Sequence, residues 1–299
     1  MKDIVIHECG LRDGLQAEAR TVPTETKLGW IGALESSGVD IIQVGSFVHP
    51  EKVPQMADTD ALFRTLTERG AGKAVFSGLV LNEKGLERGL ACGVGMFCLG
   101  VSASETHSRK NTGMGTEEAQ RRIIATAKRA VELGKRVQVS VQSAFGCGFE
   151  GRIPEERVLS IVKAYLEAGL TNISLADTAG HAYPEQVRRL FGALFELSSD
   201  IQCTCHFHDT YGLGMANVYA ALEAGVTTFE TAFGGLGGCP FTKVAAGNVP
   251  TEDVVHSLKR RGQCQGIDLG ALIGLARDVS SHFGRELPGR VYKTGPLSY

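Results

Sequence analysis

Eight short apolar runs alternate along this 299-residue chain with eight longer segments that repeat apolar residues at helical spacing. The runs lie at 4–7, 41–44, 74–79, 95–99, 137–141, 172–175, 201–206 and 227–231, and the helical patterns at 24–37, 58–69, 83–91, 116–133, 154–168, 184–197, 214–224 and 251–261. Continuous apolar strands separated by amphipathic helices are the pattern of a parallel sheet covered by helices. Eight strand-helix units predict an α/β fold, a (β/α)8 TIM barrel, with an open doubly wound sheet as the alternative. Asp58 and Thr116 read as N-caps, and Pro154 and Pro184 suit a first helical turn. Gly38, Gly70, Gly169 and Gly225 follow helical patterns, where a left-handed cap carries little strain. The chain therefore reads as a single domain over 1–299, with the barrel over about 1–262 and an additional C-terminal helical segment, 266–283, leading into a tail.

Composition narrows the partners. The 31 Lys plus Arg nearly balance 33 Asp plus Glu, so no field favours nucleic acid or an anionic membrane, and a small molecule is the default partner. No apolar run reaches the ~18 residues of a membrane span. The N-terminus, Met1-Lys2-Asp3-Ile4-Val5-Ile6-His7-Glu8, turns polar too soon for a signal peptide, which makes a cytoplasmic location the expectation. The eight cysteines are dispersed, and reduced thiols are expected. Cys203 and Cys205 tempt a zinc reading, but in an alternating run they read as buried strand thiols.

In a barrel the chemistry sits at the C-terminal ends of the strands, and polar residues gather there. Arg12-Asp13 follow the first strand, Gly45-Ser46-Phe47 the second and Asp177-Thr178 the sixth, while His206 and His208 end the seventh. Alternate residues of a strand face one side, so both imidazoles can meet one point in the barrel mouth while Phe207 packs outward. Taken alone, His-x-His at a strand end is more often a pair of hydrogen-bonded core histidines. Asp13 and Asn248 add oxygen donors. Two nitrogens with carboxylate and amide oxygens suit an octahedral Mg2+ or Mn2+, with zinc or another transition metal as alternatives. Arg12 beside Asp13 offers a guanidinium for an oxyanion next to a carboxylate for the ion. The loop Phe233-Gly234-Gly235-Leu236-Gly237-Gly238-Cys239-Pro240 lacks the Gly-Lys-Ser/Thr ending of a P-loop, and it carries one thiol suited to acid or base work.

These fragments together carry a resemblance. Glu8-Cys9-Gly10-Leu11-Arg12-Asp13-Gly14-Leu15-Gln16, Ser46-Phe47-Val48-His49-Pro50, Val53-Pro54-Gln55-Met56, His206-Phe207-His208-Asp209-Thr210-Tyr211-Gly212, Gly235-Leu236-Gly237-Gly238-Cys239-Pro240 and Gly247-Asn248 span nearly the whole chain. It resembles the DRE-TIM metallolyase superfamily, and within it the 3-hydroxy-3-methylglutaryl-CoA (HMG-CoA) lyases. The resemblance implies a divalent cation on Asp13, His206, His208 and Asn248, and cleavage of an acyl-CoA, (S)-HMG-CoA, to acetyl-CoA and acetoacetate. It implies catalytic roles for Arg12, Asp13, His206 and Cys239, with Arg12 steadying the thioester oxygen and Cys239 in proton transfer. Gln16, Gln43, Ser46, Asn82, Asp177 and Gly237 fall at positions that surround the substrate, and a homodimer is the assembly such barrels often adopt.

Several residues depart from the family pattern. Gln43 stands where the family usually has glutamate, His49 replaces a serine, Phe207 a cysteine, and Ser143 and Gly148 a Cys and a Pro. One negative charge near the metal is therefore missing, and a lyase for a related 3-hydroxy-3-substituted acyl-CoA is an open alternative. An acetyl-CoA-dependent condensing synthase and a catalytically silent metal-binding barrel are the others.

Overall fold

The computed structural model describes residues 4–70, 72–238 and 247–297. Strands β1 (Val5–Glu8), β2 (Ile41–Ser46), β3 (Val75–Leu79), β4 (Met96–Ser102), β5 (Arg136–Gln142), β6 (Asn172–Asp177), β7 (Gln202–Phe207) and β8 (Thr228–Thr231) form one closed barrel in sequence order. All eight pairs are parallel, and β8 closes on β1. This is the TIM barrel, not the open sheet.

Helices α1 (Thr24–Ser37), α2 (Thr59–Arg69), α3 (Glu83–Ala91), α4 (Glu105–Thr112), α5 (Thr116–Glu132), α6 (Glu155–Glu167), α7 (Pro184–Leu197), α8 (Gly214–Ala224) and α9 (Thr251–Lys259) surround it. Two more follow, α10 (Leu269–Phe283) and α11 (Val291–Thr294). Outward strand residues such as Ile42, Val44, Leu99, Val139, Val141, Ile173, Leu175 and Phe229 are buried against the helices in one continuous core. Cys203 and Cys205 belong to that core as free thiols. Inside the barrel, Ile41, Met96 and Cys98 form a separate small cluster with Val5, Val75 and Leu79, which plugs the N-terminal end. Above the plug the wall of the mouth mixes polar side chains such as Arg12, Gln43 and His206 with apolar ones such as Phe47, Leu81 and Met114.

Helix α10 packs against α1 and α9 on the outer ring, and the Trp30 indole N–H donates to Asp278 at 2.6 Å. The tail turns back inward, burying Leu287 and Tyr292.

Some helix ends differ from the sequence expectation. Gly115 holds the cap position of α5, and Thr116 is its first residue, its hydroxyl donating to the Ser102 carbonyl at 3.0 Å. Asp58 occupies the cap position of α2 but gives its carboxylate to the buried Lys27 at 2.6 Å and to Thr24 at 3.0 Å. Pro154 precedes α6 as its cap residue. Helix α4 had no sequence signal because it is strongly polar and buries only His107 and Ser108. Among the described residues, no helix is long and apolar enough to cross a membrane.

Candidate active site

The chain after β1 does not run into a loop but winds into a single π-helical turn, Gly10–Gly14. The Cys9 carbonyl accepts from Arg12 (3.1 Å), Asp13 (2.8 Å) and Gly14 (3.3 Å). Gly10 is required there because a Cβ would lie 2.7 Å from both Glu8 Oε1 and the Phe233 ring. This coil turns Arg12 and Asp13 into the barrel mouth. His206 enters from β7, and His208 follows one residue beyond the strand. The returning segment after the β8 loop pairs His208 with Asn248 as an antiparallel bridge, which carries Asn248 to the same point.

Three donors converge. His206 Nε2 and His208 Nε2 are 3.1 Å apart, and Asp13 Oδ2 lies 3.3 Å from the second and 3.8 Å from the first. Their outer nitrogens are committed: His206 Nδ1 meets Glu230 Oε2 at 2.8 Å, and His208 Nδ1 meets the Thr178 carbonyl at 3.1 Å. Each acceptor requires a proton on Nδ1. In the neutral tautomers, both Nε2 atoms therefore turn lone pairs toward each other and toward a carboxylate, an arrangement that a cation satisfies and a hydrogen-bonded core pair does not. Asp13, His206 and His208 thus form a group able to hold a metal ion. Burial works against ionisation of Asp13, but the Arg12 guanidinium and the His208 contact outweigh it and hold the carboxyl well below the usual range.

Asn248, an oxygen ligand in the sequence expectation, reaches the same point with its amide nitrogen toward Asp13. Its Nδ2 donates to Asp13 Oδ2 at 2.8 Å and to the Leu236 carbonyl at 3.0 Å, while its Oδ1 faces the Cys9 thiol at 3.8 Å. Two acceptors on one side fix the amide with its nitrogen inward, so Asn248 steadies the carboxylate. Gly237 (φ +109°) permits this approach, since a Cβ there would lie 2.5 Å from Asn248 Nδ2.

Arg12 is held by two neighbours. Its Nε donates to Gln43 Oε1 and its Nη1 pairs with Asp13 Oδ1. The buried Gln43 is a neutral acceptor, so it orients the guanidinium without cancelling its charge.

A cavity of about 1090 Å3 opens over this centre, and Arg12, Asp13, Gln16, Gln43, Asn82, His206 and His208 lie on its wall. Asn82 also caps α3, accepting from Gly85 N at 3.0 Å. Ser46 and Asp177, placed around the substrate from sequence, are buried off that wall. The Ser46 backbone donates to Thr59 Oγ1 at 3.3 Å. Asp177 accepts from His181 N and Ala182 N at 2.8 and 3.1 Å, and burial pushes its carboxyl up to about 7; it ties down the loop after β6. Cys239 lies outside the described residues.

Sequence reading missed what backs the histidines. Glu230, inward on β8, binds His206 from behind and lies 3.7 Å from His7, whose Nε2 meets Ser77 Oγ at 2.9 Å. Burial lowers His7 to about 4. A glutamate inside a buried four-residue strand was the available signal.

The HMGL-like family model matches residues 3–279. The hydroxymethylglutaryl-CoA lyase YngG of Bacillus subtilis (strain 168) is 36% identical over 290 residues, covering 97% of this chain and 96% of the relative. The (R)-citramalyl-CoA lyase of Chloroflexus aurantiacus is 38% identical over 308 residues, with 99% and 96% covered. Among solved structures, an HMG-CoA lyase from Acinetobacter baumannii in complex with coenzyme A and 3-methylmalate superposes with a TM-score of 0.93 at 38% identity, covering 99% of this chain and 96% of that one. A family match over most of the chain, near-complete relatives and a shared barrel agree with the convergence of Arg12, Asp13 and the two histidines at one mouth: the chain belongs to the HMGL-like family and is a carbon–carbon lyase.

Proposed function

We propose that the site cleaves the C2–C3 bond of HMG-CoA, releasing acetyl-CoA and acetoacetate, with Mg2+ or Mn2+ held by Asp13, His206 and His208. The observation that carries this reading is the meeting of three lone-pair donors beside a guanidinium that Gln43 orients without neutralising. Bound there, the cation would polarise the hydroxyl and carboxylate of a 3-hydroxy acid. The chain's own residues supply the rest. Arg12 points its charge at the thioester oxygen, where negative charge grows as the bond breaks. His206 Nε2 has one lone pair, which serves either a cation or a proton; its convergence with His208 and Asp13 supports the cation. Glu230 then holds that imidazole in tautomer and rotation from behind. Cleavage moves one proton net from the C3 hydroxyl, which becomes the ketone oxygen, to the acetyl carbon, and Cys239, two residues after Gly237, is the proposed acid that delivers it there. Lys52, Lys84 and Arg122 on the outer wall of the cavity supply positive charge for the phosphates of coenzyme A.

The relative named (R)-citramalyl-CoA lyase, at 38% identity, supports a second reading. Citramalyl-CoA is one methylene shorter and would yield acetyl-CoA and pyruvate through the same bond change. Acetyl-CoA release from each thioester, with Mg2+ or Mn2+ and with EDTA, separates the two. Rapid release from HMG-CoA that EDTA abolishes and Asp13→Asn reduces by about 100-fold or more is expected. Release from citramalyl-CoA alone would assign the second reading, and undiminished turnover in Asp13→Asn would overturn the metal-centred account.

A further inference from the structure

The cavity does not end at the proposed metal group. It descends inside the barrel along β4, β5 and β6, where Cys98, Gln138, Ser140, Gln142, Ser174 and Ala176 line it. The register places Gly100 beside Ser140, Ser140 beside Ser174 and Ser174 beside Thr204, one row across four adjacent strands. Rows inside such barrels are usually filled by bulky branched residues. Here the row is Gly, Ser, Ser, Thr. A Cβ on Gly100 would overlap Ser140 Oγ and reach 3.3 Å from Gln142 Nε2, so the missing side chain is what admits those polar groups. Ser140 is only half-buried although its strand lies inside the helix ring and Tyr165 caps its carbonyl from outside at 3.0 Å. Ser174 Oγ is buried and has no hydrogen-bond partner among the described residues.

An unpaired buried hydroxyl is costly, and a ligand atom within reach would satisfy it. Along β4–β6 the wall offers hydroxyls, amides and the Cys98 thiol; of the charged groups that border the same space, Arg12 is committed to Gln43 and Asp13, and Glu230 is an anion. That chemistry suits an uncharged hydrogen-bonding group and repels a second carboxylate. If the hydroxyl and carboxylate of the substrate turn to Asp13 and the histidines, and the thioester to Arg12, the remaining substituent on the carbinol carbon faces β4–β6. The depth from the Gln142 level to the Ser140 level is two strand residues, about 7 Å. Resting on the lyase reading above, we propose that this chamber receives that substituent, and that the preferred substrate carries there an uncharged, hydrogen-bonding branch longer than methyl, of about three heavy atoms.

The test uses three 3-hydroxyglutaryl-CoA thioesters bearing methyl, propyl or methoxymethyl at C3; the last two are isosteric, and only the ether accepts hydrogen bonds. Turnover with Mg2+ is measured beside calorimetric binding of the corresponding free 3-hydroxyglutarates. The ether is expected to exceed both alkyl branches by about tenfold in kcat/KM and in affinity, the worth of one or two hydrogen bonds. Ser140→Leu, which fills the chamber, should reverse that order; Ser174→Ala, which keeps the volume, should lower the ether preference several-fold and covers a failure of the first variant to fold. Cleavage of all three with no ether preference, or a preference that both variants leave intact, would overturn the chamber assignment and leave the lyase reading standing. Absence of any cleavage beside an ether-selective affinity that Ser174→Ala weakens would sustain the chamber and remove the lyase reading.

Discussion

Glu230 Oε2 lies 2.8 Å from His206 Nδ1, so the imidazole that faces Asp13 from β7 is fixed in tautomer and rotation by a carboxylate on β8. Burial opposes the charge on Glu230, but the hydrogen bond from His206, with the Arg12 guanidinium nearby, outweighs it and keeps the carboxyl below its usual range. Glu230→Gln keeps the shape and removes the anion. Divalent-cation affinity should fall by about 10–100-fold, as for other partners that orient a ligating histidine. Mn2+ titration followed by electron paramagnetic resonance reads this directly, and an unchanged dissociation constant would remove Glu230 from the account.

Asn248→Asp tests the amide beside Asp13. Without a cation the exchange sets two carboxylates against each other where an N–H now donates at 2.8 Å. The variant should melt earlier than the parent in EDTA and gain more in Tm on addition of Mg2+ or Mn2+, because the ion joins what otherwise repels. An identical cation-induced gain in both proteins would contradict it.

Stability should fall as pH rises across neutrality. Burial pushes Glu8 up to about 7, and Glu252 up to about 8. Both hold the turn after β8: Glu8 accepts from Phe233 N at 3.2 Å and Glu252 from Gly234 N at 3.0 Å. A carboxyl whose folded pKa is raised binds more protons in the folded state, so its contribution is full below about 4.5, the unfolded value, and is lost as pH climbs through about 7 to 8. Glu8→Gln should flatten the urea midpoint against pH over that window. An equally steep profile in the variant would assign the slope to other groups.

Helix α10 is tied to the first barrel helix through Trp30 and Asp278, and Asp278→Ala leaves the indole N–H of a buried tryptophan without its acceptor. A loss of about 1 kcal/mol is expected in urea denaturation, with little change in turnover. A neutral result would mean that water replaces the carboxylate.

Much of the barrel was legible in the sequence because its signals are local. Each strand lies over a predicted apolar run, and α1, α3, α7 and α8 span their predicted residues, since an apolar stripe at helical spacing needs only its own segment to be read. The alternation of His206 and His208 likewise announced a shared point, and the coil of Arg12 and Asp13 followed a strand end as barrel chemistry requires. Helix α4 escaped because a polar helix carries no such stripe.

What only the tertiary structure decided are relations between distant segments. Glu230 meets His206 because closure sets β8 between β7 and β1. Asn248 turns its nitrogen to Asp13 because the Leu236 carbonyl competes for the same amide, and Asp177 ends off the cavity wall because the His181 and Ala182 N–H groups take its carboxylate. Gly100, Ser140, Ser174 and Thr204 become one row only when register is fixed, and register depends on how all eight strands twist and close. The sequence by itself therefore determined the fold and the chemical kinds of residue at the mouth, through periodicities that span a few residues. Long-range closure determined which of those residues face one another and how deep the space between them runs.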